Sequence, residues 1–483
     1  MNKPISRLFL VVLLMFGALL VSTSWWTVLR ADSLRHDHPD ENARDVLRSL
    51  KIRRGTIRAA DGTVIARSVR GAEGVYRRTY PQGQLFGHPV GYSYVSISQT
   101  ELEQYYNDPL MGQHDALTDT FDQLLGRKRE GDDLRTTLDT KAQEIALREI
   151  AARGKSGAAV ALDPRTGAVK VMASTPTYDP NQVKDPKALR AANTDETRKP
   201  LVNRALQFGY APGSTFKVVT STAAIDSGKF TPHSFVDGSN GKKISGVPLA
   251  NDFNEDFGSI DLTTALTKSV NTVFATVGEK VGKPTMKKYM ERFGFDRKPK
   301  LDYPKNSMSA SVVAPSPPGH PVPPTSRFVD VGRMAIGQGG LEATPLQMAQ
   351  VAAAVANGGK LMRPHLGDRN IDRDGRTVDT IKPEVQSTVM KPSTAAAVRD
   401  MMISVVENGT GTQAKIPGVQ VAGKTGTAET QIGKKINNAW FIAFAPAQNP
   451  RVALAVTVAG VPGFGGDIAA PIARDIMVEL LKK

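Results

Sequence analysis

At 483 residues, 40% of them hydrophobic, the chain is long enough for about three units and a sizeable core. Its formal charge of +15 leaves nucleic acid, an acidic surface or an anionic membrane as partners, but aromatics make up only 6% and no basic stripe interleaves with them, which argues against nucleic acid. The absence of cysteine excludes disulfides, thiol catalysis and thiolate metal sites, and it permits an oxidising compartment without indicating one.

A tail of residues 1–7 precedes the run from Leu8 to Leu29, which carries no charge and is long enough to cross a hydrocarbon core of about 30 Å. Trp25 and Trp26 lie near its end, where amphipathic rings favour the interface and where a signal peptide would need small residues for cleavage. The run therefore predicts a transmembrane helix. Lys3 and Arg7 precede it while Arg30, Arg35 and Arg44 follow, so positive charge does not set its orientation. The polar stretch from Arg30 to Ser49 predicts a spacer, in which His36 and His38 belong to a solvated charge run and not to a metal site.

Residues 51–68 alternate around Ala60-Asp61-Gly62 and predict a β-hairpin, followed by mixed strand and loop to about Gly131. Thr137 to Glu149 has a helical pattern capped by Asp139 or Thr140. Gly157 to Ser174 predicts two strands around Asp163-Pro164-Arg165-Thr166-Gly167. Pro212-Gly213 then breaks the chain ahead of a buried helix that ends near Gly228.

That helix opens with Ser214 and Lys217, which at i and i+3 share a face, so the amine can reach the hydroxyl. A serine needs an adjacent base to act as a nucleophile, and a lysine with a depressed pKa can serve. Taken alone, the pair fits a capping serine followed by a surface lysine better, and Ser239 and Lys242 repeat the spacing in the polar run DGSNGKK. Ser269-Val270-Asn271 lies in an apolar run, where it is either a satisfied hydrogen-bond network or the lining of a cleft. The Pro-rich segment Ala314 to Pro324 predicts a surface loop.

Val419 to Thr430, Ala439 to Ala445 and Arg451 to Ala459 predict three strands, and Ala469 to Leu480 a final helix. Lys424-Thr425-Gly426-Thr427 falls in the first of these strands; Lys155-Ser156-Gly157 is a similar triplet, but it precedes Ser214. A glycine inside a strand marks close approach by a backbone or a ligand, as substrate lying along the strand would require. Strands at both ends and helices between them predict one α/β domain over 151–483, whose antiparallel sheet closes last, after a strand-rich non-catalytic module over 30–150.

Ser-x-x-Lys, Ser-x-Asn and Lys-Thr-Gly, in that order in one domain, are an established motif set of penicillin-binding proteins and class A β-lactamases. The chain resembles penicillin-binding proteins also in RGTIRAADG, VALDPRTGAVKVMASTPTYDPN, NRALQFGYAPGSTFK and AIGQGGLEATPLQM, from about Arg54 to its end. With one membrane helix, no room for a glycosyltransferase domain and no sign of C-terminal PASTA repeats, it is similar to the class B penicillin-binding proteins.

The resemblance implies a five-stranded antiparallel sheet with helices on both faces plus an all-helical subdomain. It implies a D-alanyl-D-alanine transpeptidase that cross-links peptidoglycan stem peptides, is inhibited covalently by β-lactams, and needs neither cofactor nor metal. Ser214 would attack the donor, Lys217 take its proton and Ser269 relay a proton to the leaving amine. Asn271 would hold the donor amide side chain, Lys424, Thr425 and Thr427 would attract the terminal carboxylate along the strand that Gly426 opens, and backbone N–H groups at Ser214 and Thr427 would form the oxyanion hole. No chemical role follows for Gly337-Gln338-Gly339. Substrate outside the membrane puts the tail in the cytoplasm and the enzyme outside in a single-pass arrangement, and the missing polymerising domain implies a SEDS-family glycan polymerase as partner. A D,D-carboxypeptidase or β-lactamase on the same scaffold, or a non-catalytic penicillin sensor or scaffold, are the alternatives. A class A β-lactamase would need a glutamate base that the sequence does not place, and a sensor would need a further signalling segment.

Overall fold

The computed structural model describes residues 3–25, 47, 49–95, 97–113, 129–154, 156–431 and 436–482. The spacer with Arg30, Arg35, His36, His38 and Arg44, and likewise Trp26 and Lys155, lie outside the described residues. The chain divides into two units, residues 1–53 with 70–77 and residues 54–69 with 78–483.

In the first unit, the uncharged run forms helix α1 (Lys3–Ser24), which begins before the expected Leu8. From Arg7 to Ser24 it has a mean hydropathy of 2.1 and no part of it is buried, so it is a candidate membrane span. Its 22 residues extend about 33 Å at 1.5 Å per residue, enough for the hydrocarbon core.

The strands of the two main sheets are, in chain order, β1 (Ile57–Arg58), β2 (Val64–Arg70), β3 (Tyr76–Thr79), β4 (Asp133–Thr136), β5 (Ser156–Leu162), β6 (Val169–Thr175), β7 (Gly367–Ile371), β8 (Thr377–Thr380), β9 (Ala422–Gln431), β10 (Ile436–Ala445) and β11 (Val452–Val461). The helices used below are α2 (Thr140–Arg153), α3 (Lys217–Asp226), α4 (Leu262–Thr267), α5 (Asn271–Val281), α6 (Lys283–Phe293), α7 (Pro345–Ala356), α8 (Pro392–Asn408) and α9 (Gly465–Leu481).

The hairpin at Ala60-Asp61-Gly62 joins β1 to β2, with Gly62 at φ 89° closing the turn. These strands belong to a sheet of order β8-β7-β4-β1-β2-β3, in which β1 and β4 pair in parallel. Two of its strands, β7 and β8, come from residues 367–380, far beyond the stretch expected to form the N-terminal module. Buried polar groups tie the same region together. Glu103 accepts from Arg54 Nε at 2.7 Å and Arg78 Nε at 2.6 Å, and Asp302 accepts from Tyr106 Oη at 2.6 Å and from the N–H groups of Leu366 and Gly367.

The second sheet has the order β9-β10-β11-β5-β6, every neighbouring pair antiparallel. Side chains along β10 alternate: Trp440, Ile442 and Phe444 enter the core on the α3, α5 and α7 side, whereas Ala439, Phe441 and Ala443 enter the core formed with α2 and α9. Both faces are therefore covered, as a sheet buried on two sides requires. Asp139 caps α2 by accepting from Ala142 N–H at 3.0 Å, and the helix packs on β5 and β6, although sequence order places its residues up to 150 in the N-terminal module. Helix α9 starts four residues before the expected Ala469. Gly465 and Gly466, poor helix formers that hid this turn, are needed there, because a Cβ at Gly465 would fall 2.2 Å from Trp440 O and 2.3 Å from Gly426 O.

Candidate active site

Ser214 sits in a single 3-10 turn, Gly213–Phe216, that runs directly into α3. Residues Lys217 to Ala224 of this helix are all buried, so it enters the core and carries the lysine with it. The turn is held from two sides. Trp440 of β10 donates from Nε1 to Ala211 O at 3.0 Å, and Gly213 N–H donates to Gly337 O at 3.1 Å. A Cβ at Gly337, where φ is 79°, would lie 2.0 Å from Gly213 O, so the Gly337-Gln338-Gly339 segment supports the nucleophile turn from beneath.

The loop between α4 and α5 brings in Ser269 and Asn271. Ser269 has φ 62°, a left-handed conformation that is strained for a serine and aims its side chain between two amines. Lys217 Nζ donates to Ser269 O at 2.6 Å, to Asn271 Oδ1 at 2.7 Å and to Ser269 Oγ at 3.3 Å. The amine thus donates to acceptors on the α4–α5 loop, and the direct hydrogen bond to Ser214 that the i,i+3 spacing allows is not formed among the described residues. On the other side, Lys424 Nζ of β9 donates to Ser269 Oγ at 2.9 Å and to Thr425 O at 3.0 Å. The Ser269 hydroxyl thus lies between two fully buried lysines.

Burial sets the electrostatics. Desolvation lowers the Lys217 pKa to about 7, with the Asp252 carboxylate acting against the shift. Lys424 falls well below the usual lysine range, mainly through burial and then through the neighbouring Lys217 charge. A lysine that titrates near neutrality can hold a free amine at physiological pH, as a general base must.

Gly426 is the glycine that sequence alone linked to substrate. In the structure the close neighbour is the nucleophile turn itself: a Cβ would fall 2.7 Å from Pro212 O and 2.8 Å from Thr215 Cγ2. Thr425 is buried, its hydroxyl 2.6 Å from that of Thr410, while Thr427 is half-buried and its hydroxyl accepts from Gly465 N–H at 3.2 Å. The second Ser-x-x-Lys pair is a surface turn: Ser239 Oγ donates to Asp237 at 2.6 Å and Lys242 pairs with the same carboxylate at 3.2 Å, which holds the Asp237 pKa down at about 2. Ser214, Lys217, Ser269, Asn271 and Lys424 are brought to one place, and Ser239 and Lys242 are left outside it. Among the described residues no cluster of histidine and carboxylate side chains could hold a metal ion.

Residues that sequence reasoning missed are Asp252, whose Oδ1 accepts from Asn271 Nδ2 at 3.3 Å, and the buried Asn251 beside it. The run NDFNED offered one signal, a polar cluster shortly before the Ser-x-Asn motif.

Comparison with known proteins gives these features a context. Residues 157–478 match the family described as penicillin binding protein transpeptidase domain, and residues 54–134 match the penicillin binding protein A dimerisation domain. The peptidoglycan D,D-transpeptidase PbpA of Mycolicibacterium smegmatis is 33% identical, with all of this chain and all of that protein covered. Penicillin-binding protein A from M. tuberculosis, solved as a ceftriaxone acyl-enzyme complex, superimposes with a TM-score of 0.81 at 31% identity, over 90% of this chain and 100% of the other. The D,D-transpeptidase domain of a peptidoglycan glycosyltransferase from Eggerthella lenta gives a TM-score of 0.78 at 33% identity, over 89% and 99%. Ser-x-x-Lys at the start of α3, Ser-x-Asn on the α4–α5 loop and Lys-Thr-Gly on β9, joined by hydrogen bonds through Ser269 in a chain matched along its whole length, place this protein in the class B penicillin-binding proteins.

Proposed function

We propose that this protein is a membrane-anchored peptidoglycan D,D-transpeptidase that works through an acyl-enzyme on Ser214. The observation that carries the reading is the Ser269 hydroxyl between the two buried amines, beside the turn that bears Ser214. Ser214 Oγ attacks the penultimate D-alanine carbonyl of a donor stem peptide, and its proton passes to the free amine of Lys217. The tetrahedral oxyanion is held by the backbone N–H groups of Ser214 and Thr427. The carbon–nitrogen bond then breaks, the leaving D-alanine nitrogen takes a proton through Ser269, and an acceptor amine attacks the resulting ester and releases Ser214. Lys424 and the Thr427 hydroxyl attract the terminal carboxylate, Thr425 orients Lys424, and Asn271 holds the donor amide. β-Lactams present the same carboxylate and acyl carbon, so they acylate the same serine.

Treatment of the full chain with a fluorescent penicillin tests this. Mass spectrometry places the adduct on Ser214, Ser214→Ala abolishes labelling, and Ser239→Ala leaves it intact; the reverse pattern overturns the assignment. An adduct that persists for hours fits a transpeptidase, whereas one hydrolysed within seconds fits a β-lactamase.

The finer organisation belongs to the same proposal. Residues 54–134 act as a non-catalytic module and α1 is a single-pass anchor with its N-terminus in the cytoplasm. A SEDS-family polymerase, contacting α1 and this module, supplies the glycan strands. Replacing α1 with an unrelated span tests the contact, and unchanged co-purification and full complementation would reduce α1 to an anchor.

A further inference from the structure

A carboxylate beside the acyl-transfer centre has no part in the proposed reaction. Asp252 opens a single 3-10 turn, Asp252–Asn254, upstream of α4, and this turn is bolted to the start of α5. The bolt is Asn251, only 4% exposed: its Nδ2 donates to Gly238 O at 2.9 Å and Glu255 O at 3.0 Å, and its Oδ1 accepts from Thr272 N–H at 3.0 Å and Thr272 Oγ1 at 3.1 Å. Thr272 follows Asn271 directly, so fixing it fixes where Asp252 meets the Asn271 amide. The loop accepts strain to reach this position, since Phe253 has φ of 58°, a left-handed value that a bulky aromatic residue disfavours, while Asn254 at 57° is of a type that tolerates it.

We propose, on the basis of the transpeptidase reading above, that Asp252 is a positioning residue of the acyl-transfer centre, which orients the Asn271 amide and stands one amide away from the Lys217 amine as its counter-charge. The orientation follows from donors and acceptors. Asn271 Nδ2 is met by Ala250 O at 3.2 Å and Asp252 Oδ1 at 3.3 Å, both pure acceptors, so the amide must turn its oxygen to Lys217 Nζ. The charge follows from what surrounds the pair. Lys217 on α3 is faced by Lys424 from β9, by the Phe274 ring of α5 at 5.8 Å and by Asp252; the Asp252 carboxylate is the charge that raises the pKa of each lysine against its burial. Two like charges sharing a buried pocket need such a counter-charge. When a donor binds, its amide carbonyl takes over the Nδ2 hydrogen that Asp252 holds, so the carboxylate keeps the amide ready in the empty cleft.

The test is the pH profile of penicillin acylation in the full chain, for wild type, Asp252→Asn, Asp252→Ala and Asp252→Glu, with thermal unfolding measured alongside. Removing the carboxylate makes Lys217 give up its proton more readily, so the acid limb moves to lower pH by about half a unit to one unit in Asp252→Asn and Asp252→Ala. Asp252→Glu keeps the limb at its wild-type position. At the optimum, Asp252→Asn acylates faster than Asp252→Ala, because an amide oxygen can still accept from Asn271. An acid limb unmoved in both neutral variants, whatever the height of the profile, overturns the proposal and leaves Asp252 as a group that fixes its own loop and acts on stability alone. Lysine-selective NMR titration of Lys217 in the same full-length variants reads the same shift without any reaction. A wild-type chain that forms no adduct on Ser214 would therefore fail the function and still leave this inference decided.

Discussion

At the scale of single residues, the site works through two lysines of one chemical type in two roles. With the Lys217 pKa lowered to about 7, the free amine is the majority form above that value and declines as the pH falls. Acylation by penicillin in wild type is expected to drop about tenfold per pH unit below about pH 6 and to level off above neutrality, measured as the second-order labelling rate. Lys424 is tested separately. A charge-assisted hydrogen bond contributes about 1.5–3 kcal/mol, and about 1.4 kcal/mol is a factor of ten, so Lys424→Gln should slow acylation by roughly tenfold to a hundredfold. An ester substrate without the terminal carboxylate should be much less affected; equal losses on both would show that Lys424 acts on the nucleophile or the fold. The residues that perform chemistry were legible because their spacing repeats a fixed local geometry. Asp252 and Asn251 were not, because they act through contacts with Gly238, Glu255 and Thr272 that only the folded chain creates.

At the scale of elements, the nucleophile turn is held between β9, which carries the Lys-Thr-Gly motif, and the Gly337 segment, with glycine at both surfaces. Gly337→Ala would place a methyl group 2.0 Å from Gly213 O at a backbone φ of 79°. Relief requires the turn itself to shift, so we expect a loss of about 1–3 kcal/mol in stability and a larger proportional loss in acylation than Ser239→Ala or any surface change produces. Thermal unfolding and penicillin labelling of the same sample check it, and an unchanged labelling rate would remove the supporting role. Gly426 shows how one signal can stand for two neighbours. A strand glycine does signal close approach, but periodicity cannot tell a ligand from a turn of the same chain. Strand and helix existence followed from alternation and capping signals such as Asp139, whereas the early start of α9 was masked by two glycines that tertiary contact demands.

At the scale of the whole molecule, the N-terminal sheet and the catalytic domain share strands, since β7 and β8 pair onto β4 through Gly367–Ile371. Sequence order suggested a boundary near residue 150, and no local pattern announces that residues more than two hundred positions apart will form one ladder. A fragment of residues 151–483 would lose the partner strand of β7 and the Tyr106 donor to Asp302, leaving a buried carboxylate short of a hydrogen bond. We expect this fragment to aggregate or to unfold at a markedly lower temperature than residues 54–483, and equal melting temperatures with monomeric elution would contradict that. The order of strands in the catalytic sheet also has a temporal side. Strand β5, apolar on both faces, pairs on one edge with β6 and on the other with β11, where Leu162 meets Ala453. A ribosome adding about 5–20 residues per second reaches that partner roughly 15–60 s after β5 has emerged. For that interval the strand has an open edge, so chains arrested before residue 452 should be cleaved within 156–175 by added protease while finished chains resist. Synthesis of this enzyme therefore includes a waiting period, in which an unfinished sheet depends on chaperones and on the pace of translation to reach its last strand.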